Sequence, residues 1–124
     1  MHRVFVYGTL LRGLSNHHWL EGAHFVGEAT TAESLRLVDL GEYPAVIDEP
    51  GAPVVGEVWE VDDDGLAQLD VLEDYPTLYT RRLTALRTGE PALIYVLAPG
   101  APVATCEEIR DGDYRAHVRR FAVS

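Results

Sequence analysis

Short strand-like runs separated by tight turn signals constrain this chain more than any other feature. Val4-Phe5-Val6-Tyr7 is the first run, and residues 24–27 and 34–40 are the next. Residues 54–61 alternate, with Val54, Gly56, Val58 and Glu60 on one face and Val55, Glu57, Trp59 and Val61 on the other. Residues 79–87 and 92–97 complete the set. Turn clusters rich in Gly and Pro punctuate the chain at Glu49-Pro50-Gly51-Ala52-Pro53, Thr88-Gly89-Glu90-Pro91 and Pro99-Gly100-Ala101-Pro102. This spacing predicts a mainly antiparallel sheet or barrel.

One segment reads clearly as a helix. Asp62-Asp63-Asp64 supplies an N-cap and favourable negative charge at its start, and residues 65–73 follow. Shorter helices are expected near residues 16–20 and 113–121. The predicted class is mixed α/β (α+β): a small, mainly antiparallel, barrel-like sheet with a few short helices. At 124 residues the chain suits a single domain, 1–124. Roughly two thirds of the unfolded surface is buried on folding at this size, enough for a real core.

Charge narrows the partners. Ten basic residues against twenty acidic ones give a net charge of −10. No basic block exceeds Arg81-Arg82 or Arg119-Arg120, so nucleic acid and anionic membranes are not expected partners. No apolar run approaches the ~18 residues needed to cross a bilayer. The run over residues 3–11 is broken by Tyr7-Gly8-Thr9 and lacks a small-residue cleavage site, so it is not read as a signal peptide. A cytoplasmic location and a monomer are the simplest expectations. The single cysteine, Cys106, excludes an internal disulfide and reads as a small hydrophobe.

The helix carries the most informative residue. At about 100° per residue, Leu66, Leu69 and Leu72 fall at roughly 0°, 300° and 240°, the stripe that faces the core. Glu73 falls at roughly 340°, between Leu66 and Leu69, and Asp70 near 40° on the flank. The helix therefore aims a carboxylate along its buried side at its last turn. Such a group must be paired, protonated or at the edge of a cavity. Two readings stay open. Either Glu73 lies past the helix end in an ion pair with Arg81 or Arg82, or it lines a pocket. In a pocket, desolvation raises its pKa into the range useful for acid–base chemistry.

Tyr75-Pro76 ends the helix. Tyr79 opens a strand shortly afterwards. Its phenol either returns towards Glu73 or packs in the core with its hydroxyl at the rim. Tyr7-Gly8-Thr9-Leu10 is a second candidate, where a short apolar strand enters a glycine turn. Gly lets backbone approach a ligand, and successive N–H groups hold a carboxylate, although the same residues also suit an ordinary turn. No Gly-Lys-Ser/Thr follows, so this is not a phosphate loop. His2, His17, His18, His24 and His117 lack ligand-like spacing, and no metal site is assigned. No serine nucleophile elbow is present.

Taken together, these features resemble the γ-glutamylcyclotransferase-like family, especially its small bacterial members and its γ-glutamylamine cyclotransferase branch. The matching residues run in order along nearly the whole chain. They are Val6-Tyr7-Gly8-Thr9-Leu10, Tyr43-Pro44-Ala45-Val46, Gly56-Glu57-Val58-Trp59-Glu60-Val61, Leu69-Asp70-Val71-Leu72-Glu73-Asp74-Tyr75-Pro76 with Tyr79 and Arg81, and Asp111-Gly112-Asp113-Tyr114-Arg115.

The resemblance implies a small α/β structure around a barrel-like sheet with its pocket at the mouth. It assigns Glu73 as the catalytic carboxyl and Tyr7, Gly8, Thr9 and Leu10 as the substrate loop, with Tyr79 as a pocket tyrosine. Asp74 stands where many members have Gly, placing a negative charge beside the base. The implied reaction is attack of a γ-glutamyl α-amine on its own γ-carbonyl, giving 5-oxoproline and a free amine. No metal or organic cofactor enters it. Loops at 41–53 and 99–106 are expected to meet the leaving group. The competing readings are a non-catalytic binding module for a glutamyl-like metabolite, and an interaction protein acting through its acidic surface.

Overall fold

The apolar run at the start of the chain becomes the middle of a sheet. The protein was analysed as a computed structural model, which describes residues 1–100 and 106–122. In chain order the elements are β1 (His2–Val6), a 3-10 helix (His17–Leu20), β2 (His24–Asp39), β3 (Pro44–Val61), α1 (Asp63–Leu72), β4 (Tyr79–Ala85), β5 (Pro91–Leu97), β6 (Glu107–Glu108) and α2 (Tyr114–Ala122). The strands form one sheet in the order β4-β5-β1-β3-β2-β6. β1 pairs antiparallel with β3, from His2 opposite Val61 to Val6 opposite Glu57. It pairs parallel with β5 through Val4 opposite Leu93 and Phe5 opposite Ile94. The other pairings are antiparallel.

The sheet curls into a half-barrel. Leu86, just past β4, bridges to Thr31 of β2, although those strands stand first and fifth in the order. Arg87 N–H donates to the Thr30 carbonyl at 3.0 Å. Glu33 accepts from Arg82 at 3.0 Å and from the Thr84 hydroxyl at 2.7 Å. Both faces are covered, which is why β1 reads as continuous apolar sequence. Val4 and Val6 join a cluster with Trp59, Leu66, Leu69 and Tyr95. Phe5 joins the opposite cluster with Leu37, Val58, Ile94 and Tyr114.

Two expectations about strands need correction. Residues 24–27 and 34–40 form one strand, β2, with register breaks between Phe25 and Gly27 and between Thr30 and Ser34. The Thr31 hydroxyl accepts from Val54 N–H at 2.9 Å and donates to the Glu33 carbonyl at 2.7 Å. The 49–53 cluster does not end a strand either. Ser34 faces Pro53 and Leu35 faces Ala52, then the register jumps so that Arg36 faces Ile47. Bulges tolerate Pro and Gly, so residues 48–51 are an excursion within β3. The reversal between β2 and β3 lies at residues 40–43, where Leu40 N–H donates to the Tyr43 carbonyl at 3.0 Å. The loop expected at 41–53 is therefore far shorter. Of the other expected loop, residues 101–105 lie outside the described residues.

The helices follow their local signals. Asp62 caps α1 by accepting from Gly65 N–H at 2.7 Å. Leu66 and Leu69 are buried while Val71 is 76% exposed, so the wheel gives the correct face. The helix expected at 16–20 is one 3-10 turn, and the one near 113–121 is α2. β6 pairs two residues with Val38 and Asp39, too short a strand to show in sequence. Leu69→Ala is expected to cost about 2–5 kcal/mol in urea unfolding. Val71→Ala on the outer face should stay within about 0.5 kcal/mol of wild type.

Candidate functional site

The end of β1, the β2–β3 reversal, the end of α1 and two strands converge on one pocket. Phe5, Val6, Tyr7, Gly8, Thr9, Leu10, Tyr43, Pro44, Glu73, Tyr79 and Tyr95 line it. All six residues singled out from the sequence are present: Tyr7, Gly8, Thr9, Leu10, Glu73 and Tyr79. Gly8 is required here by its neighbour. A Cβ at that position would stand 2.6 Å from Pro44 Cγ and 2.9 Å from its Cδ. The glycine thus lets the Pro44 ring close against the loop.

The tyrosine hydroxyls hold this frame together. Tyr7 OH donates to the Tyr95 carbonyl at 2.7 Å and accepts from Val46 N–H at 3.1 Å. Tyr79 OH donates to the Pro44 carbonyl at 2.7 Å, which puts it in the core rather than at a rim. Tyr95 OH donates to Asp70 Oδ1 at 2.6 Å. Burial raises all three phenols above their ordinary value, so they stay protonated donors.

Glu73 differs from every other acid around it. It is the C-cap of α1, and its N–H donates to the Leu69 carbonyl at 2.9 Å. Its carboxyl is half-buried and has no hydrogen-bond or ion-pair partner among the described residues. The ion pair with Arg81 or Arg82 does not form. Arg81 is held by Asp70, Nε to Oδ1 at 2.9 Å and Nη2 to Oδ2 at 3.1 Å, and lies 4.6 Å from the centre of the Tyr75 ring. Arg82 pairs with Glu33 and Asp48. Burial therefore acts on Glu73 unopposed and lifts its pKa from 4.5 to about 7. Asp74 is not a cause of that rise. It sits at φ 51°, the left-handed conformation common just past a helix end, where Gly is the usual residue.

The loop beside Glu73 presents bare donors. Leu11 N–H bonds the Gly8 carbonyl at 3.0 Å and Asn16 N–H bonds the Thr9 carbonyl at 2.9 Å. Asn16 Nδ2 also donates to Thr9 Oγ1 at 3.0 Å. Among the described residues, the N–H groups of Gly8, Thr9 and Leu10 have no protein acceptor. Among the described residues, no Lys, Arg or His lines the pocket. An anionic group entering it must be held by backbone, and a cationic one is drawn to Glu73.

Sequence reasoning passed over Glu57. It is 1% exposed on the core face of β3. Its Oε1 accepts from Arg12 N–H at 3.1 Å and Trp59 Nε1–H at 3.2 Å. Its Oε2 accepts from Arg12 Nε at 2.9 Å and Arg115 Nη2 at 3.1 Å. Burial opposes its ionisation, but these donors outweigh burial and hold the carboxyl below its ordinary range. The signal was the alternation itself, which sets Glu57 on the same face as Trp59 and Val61.

Away from the pocket, the fold gathers Asp39, Glu107 and His117, whose ligand-type atoms lie within 4.8 Å of one another. His117 Nε2 and Asp39 Oδ2 are 2.9 Å apart. The sequence spacing hid this grouping. Cys106 packs against the core. Among the described residues no helix is long and apolar enough to cross a membrane.

Comparison with known proteins identifies relatives of the whole chain. A family model described as "Gamma-glutamyl cyclotransferase, AIG2-like" matches residues 4–116. Mouse gamma-glutamylaminecyclotransferase is 44% identical over 124 residues, covering 82% of each chain. The gamma-glutamylcyclotransferase family protein YtfP of Escherichia coli K12 is 35% identical over 112 residues, 90% of this chain and 95% of that one. The crystal structure of a Pyrococcus horikoshii protein superposes with a TM-score of 0.82 at 25% identity, covering 99% of this chain and 98% of that one.

Two stability predictions follow from the geometry around Glu73. Between pH 4.5 and about 7 the folded chain keeps a proton that the unfolded chain has released, so Glu73 makes stability fall as pH rises through that window. Glu73→Gln should match wild type near pH 4. At pH 8 it should be more stable by up to about 3 kcal/mol in urea titrations. Asp74→Gly relieves the left-handed strain and should raise stability by about 0.5–1 kcal/mol in the same assay.

Proposed function

Because this chain belongs to the gamma-glutamyl cyclotransferase, AIG2-like family, we propose that it cyclises a γ-glutamyl amine or related amide, releasing 5-oxoproline and the attached amine. The observation that carries this reading is the bare Glu73 carboxyl, lifted to about 7, in a pocket that no cationic side chain lines among the described residues. A carboxyl of that strength serves as a base and then as an acid near neutral pH.

The substrate supplies its own nucleophile, so the protein needs none. The N–H groups of Gly8, Thr9 and Leu10 bind the α-carboxylate and fold the chain back on itself. Glu73 takes a proton from the α-ammonium. The freed nitrogen attacks the γ-carbonyl carbon, and a new C–N bond closes the five-membered ring. The Gly8 N–H is shared with the oxyanion as it forms. Protonated Glu73 then gives a proton to the departing nitrogen, the old C–N bond breaks and the carbonyl re-forms, while the ring nitrogen passes its second proton through Glu73 to the released amine, which leaves as the ammonium and returns Glu73 to its ionised form.

The test is release of 5-oxoproline from γ-glutamyl amines, dipeptides and isopeptides. Wild type should turn over at least one of them, with kcat/KM rising as pH passes through about 7. Glu73→Gln should lower kcat by about 10²–10⁴-fold with a smaller change in KM. Wild-type turnover by the Gln variant would remove Glu73 from the mechanism. Binding of a γ-glutamyl ligand without release would favour a non-catalytic module.

A further inference from the structure

We propose that Glu57 is a positioning residue: with Arg12 and Arg115 it fixes the loop whose bare N–H groups bind substrate. This rests on the cyclotransferase reading above. Glu57 itself does not line the pocket.

In the β1–β3 ladder Glu57 lies opposite Val6, the last residue of β1. Its side chain then reaches Arg12, accepting from both the backbone N–H and Nε of that residue. The segment between Val6 and Arg12 is therefore pinned at both ends to one residue. That segment is Tyr7 to Leu11, and it contains Gly8, Thr9 and Leu10. The turn inside it is tight, with Leu11 N–H on the Gly8 carbonyl at 3.0 Å. The Arg12 end cannot shift without breaking bonds to the buried carboxylate, and the Val6 end is held opposite the backbone of the same residue in the ladder.

Arg115 completes the clamp from α2. Its Nη2 donates to Glu57 Oε2 at 3.1 Å and to the Arg12 carbonyl at 2.8 Å. One guanidinium thus locks the carboxylate and the loop backbone together. Arg12 is steadied further by the Phe25 ring, 4.0 Å from its guanidinium carbon. Preorganised donors bind an anion without first paying to order the loop, so loosening the clamp weakens substrate binding more than the chemical step. Glu73 belongs to α1 and is not held by these contacts.

The experiment compares Glu57→Gln, Arg115→Ala and Arg115→Lys with wild type, using the best γ-glutamyl substrate below the unfolding range. Nitrogen-15 relaxation of the Gly8, Thr9 and Leu10 amides is recorded in parallel. Arg115→Ala removes the clamp from the helix side and guards against a Glu57 variant that does not fold. Arg82→Ala, which breaks pairs with Glu33 and Asp48, serves as a destabilised control. Glu57→Gln and Arg115→Ala should raise KM about tenfold or more, with kcat changing less than about threefold and the three amides becoming more mobile. Arg115→Lys should recover part of the KM loss, and the pH midpoint set by Glu73 should not move. Arg82→Ala should lower the melting temperature without touching KM.

Wild-type KM or wild-type amide order in a folded Glu57→Gln or Arg115→Ala variant would overturn the proposal, leaving Glu57 as a purely structural clamp. Should wild type release no 5-oxoproline from any substrate, the cyclotransferase reading fails. The relaxation data then decide the loop-holding role by themselves.

Discussion

Glu57 brings an ionised carboxylate into the interior of β3, where desolvation alone costs several kcal/mol. Four donated hydrogen bonds, three of them from Arg12 and Arg115, offset that cost. Compensation of this kind is geometrically demanding, because every donor has to arrive at one small anion. The donors come from the loop after β1, from β3 itself and from α2. Segments far apart in sequence are therefore forced into a single arrangement. A hydrophobic contact in the same place would stabilise without fixing direction, whereas hydrogen bonds to a carboxylate fix both distance and angle.

The pocket depends on the opposite treatment of a second carboxyl. Asp70 and Glu73 lie on adjacent turns of α1 and point to neighbouring sides of it. Asp70 receives both arms of Arg81 and the Tyr95 hydroxyl, which outweigh its burial and keep it ionised. The Glu73 carboxyl receives no donor among the described residues, and its pKa moves the other way. Two carboxyls three residues apart are thus driven in opposite directions by their surroundings, one held ionised and the other drawn towards its protonated form. The tyrosines around Glu73 reinforce this. The hydroxyls of Tyr79, Tyr7 and Tyr95 are already engaged with Pro44, Tyr95 and Asp70, so none of these three turns to quench it.

Much of this was legible before any coordinates. The helical wheel put Glu73 on the buried side because Leu66 and Leu69 fix the face, and the Asp62 cap fixes where the helix starts. The Tyr7-Gly8-Thr9-Leu10 turn was visible as a break in an apolar strand. What failed to show was set by partners distant in sequence. Pro50 and Pro53 read as chain reversal, yet β2 supplies a bulged ladder that carries the strand past them. The roles of the Tyr7 and Tyr79 hydroxyls depend on carbonyls of Tyr95 and Pro44, which no local pattern names. Glu57 is the instructive miss. It carried the same signal as Glu73, a charge on a core-facing position, but on a strand of period two rather than a helix.

The parallel pairing of β1 with β5 bears on the order in which this molecule acquires its parts. β2 and β3 meet across a four-residue reversal and form a long ribbon from neighbouring sequence. The bond from Tyr7 to Tyr95 spans 88 residues, and that from Arg115 to Arg12 spans 103. Closing such wide loops sacrifices chain entropy before any contact repays it, so pairings of this kind form slowly. The ribbon can assemble while β1 still lacks its second neighbour, but the wall that faces Glu73 cannot. A chain arrested at that stage would be collapsed and rich in strand, yet without a cavity. Binding of a ligand that needs this cavity would therefore report the wide-loop pairings rather than the presence of secondary structure.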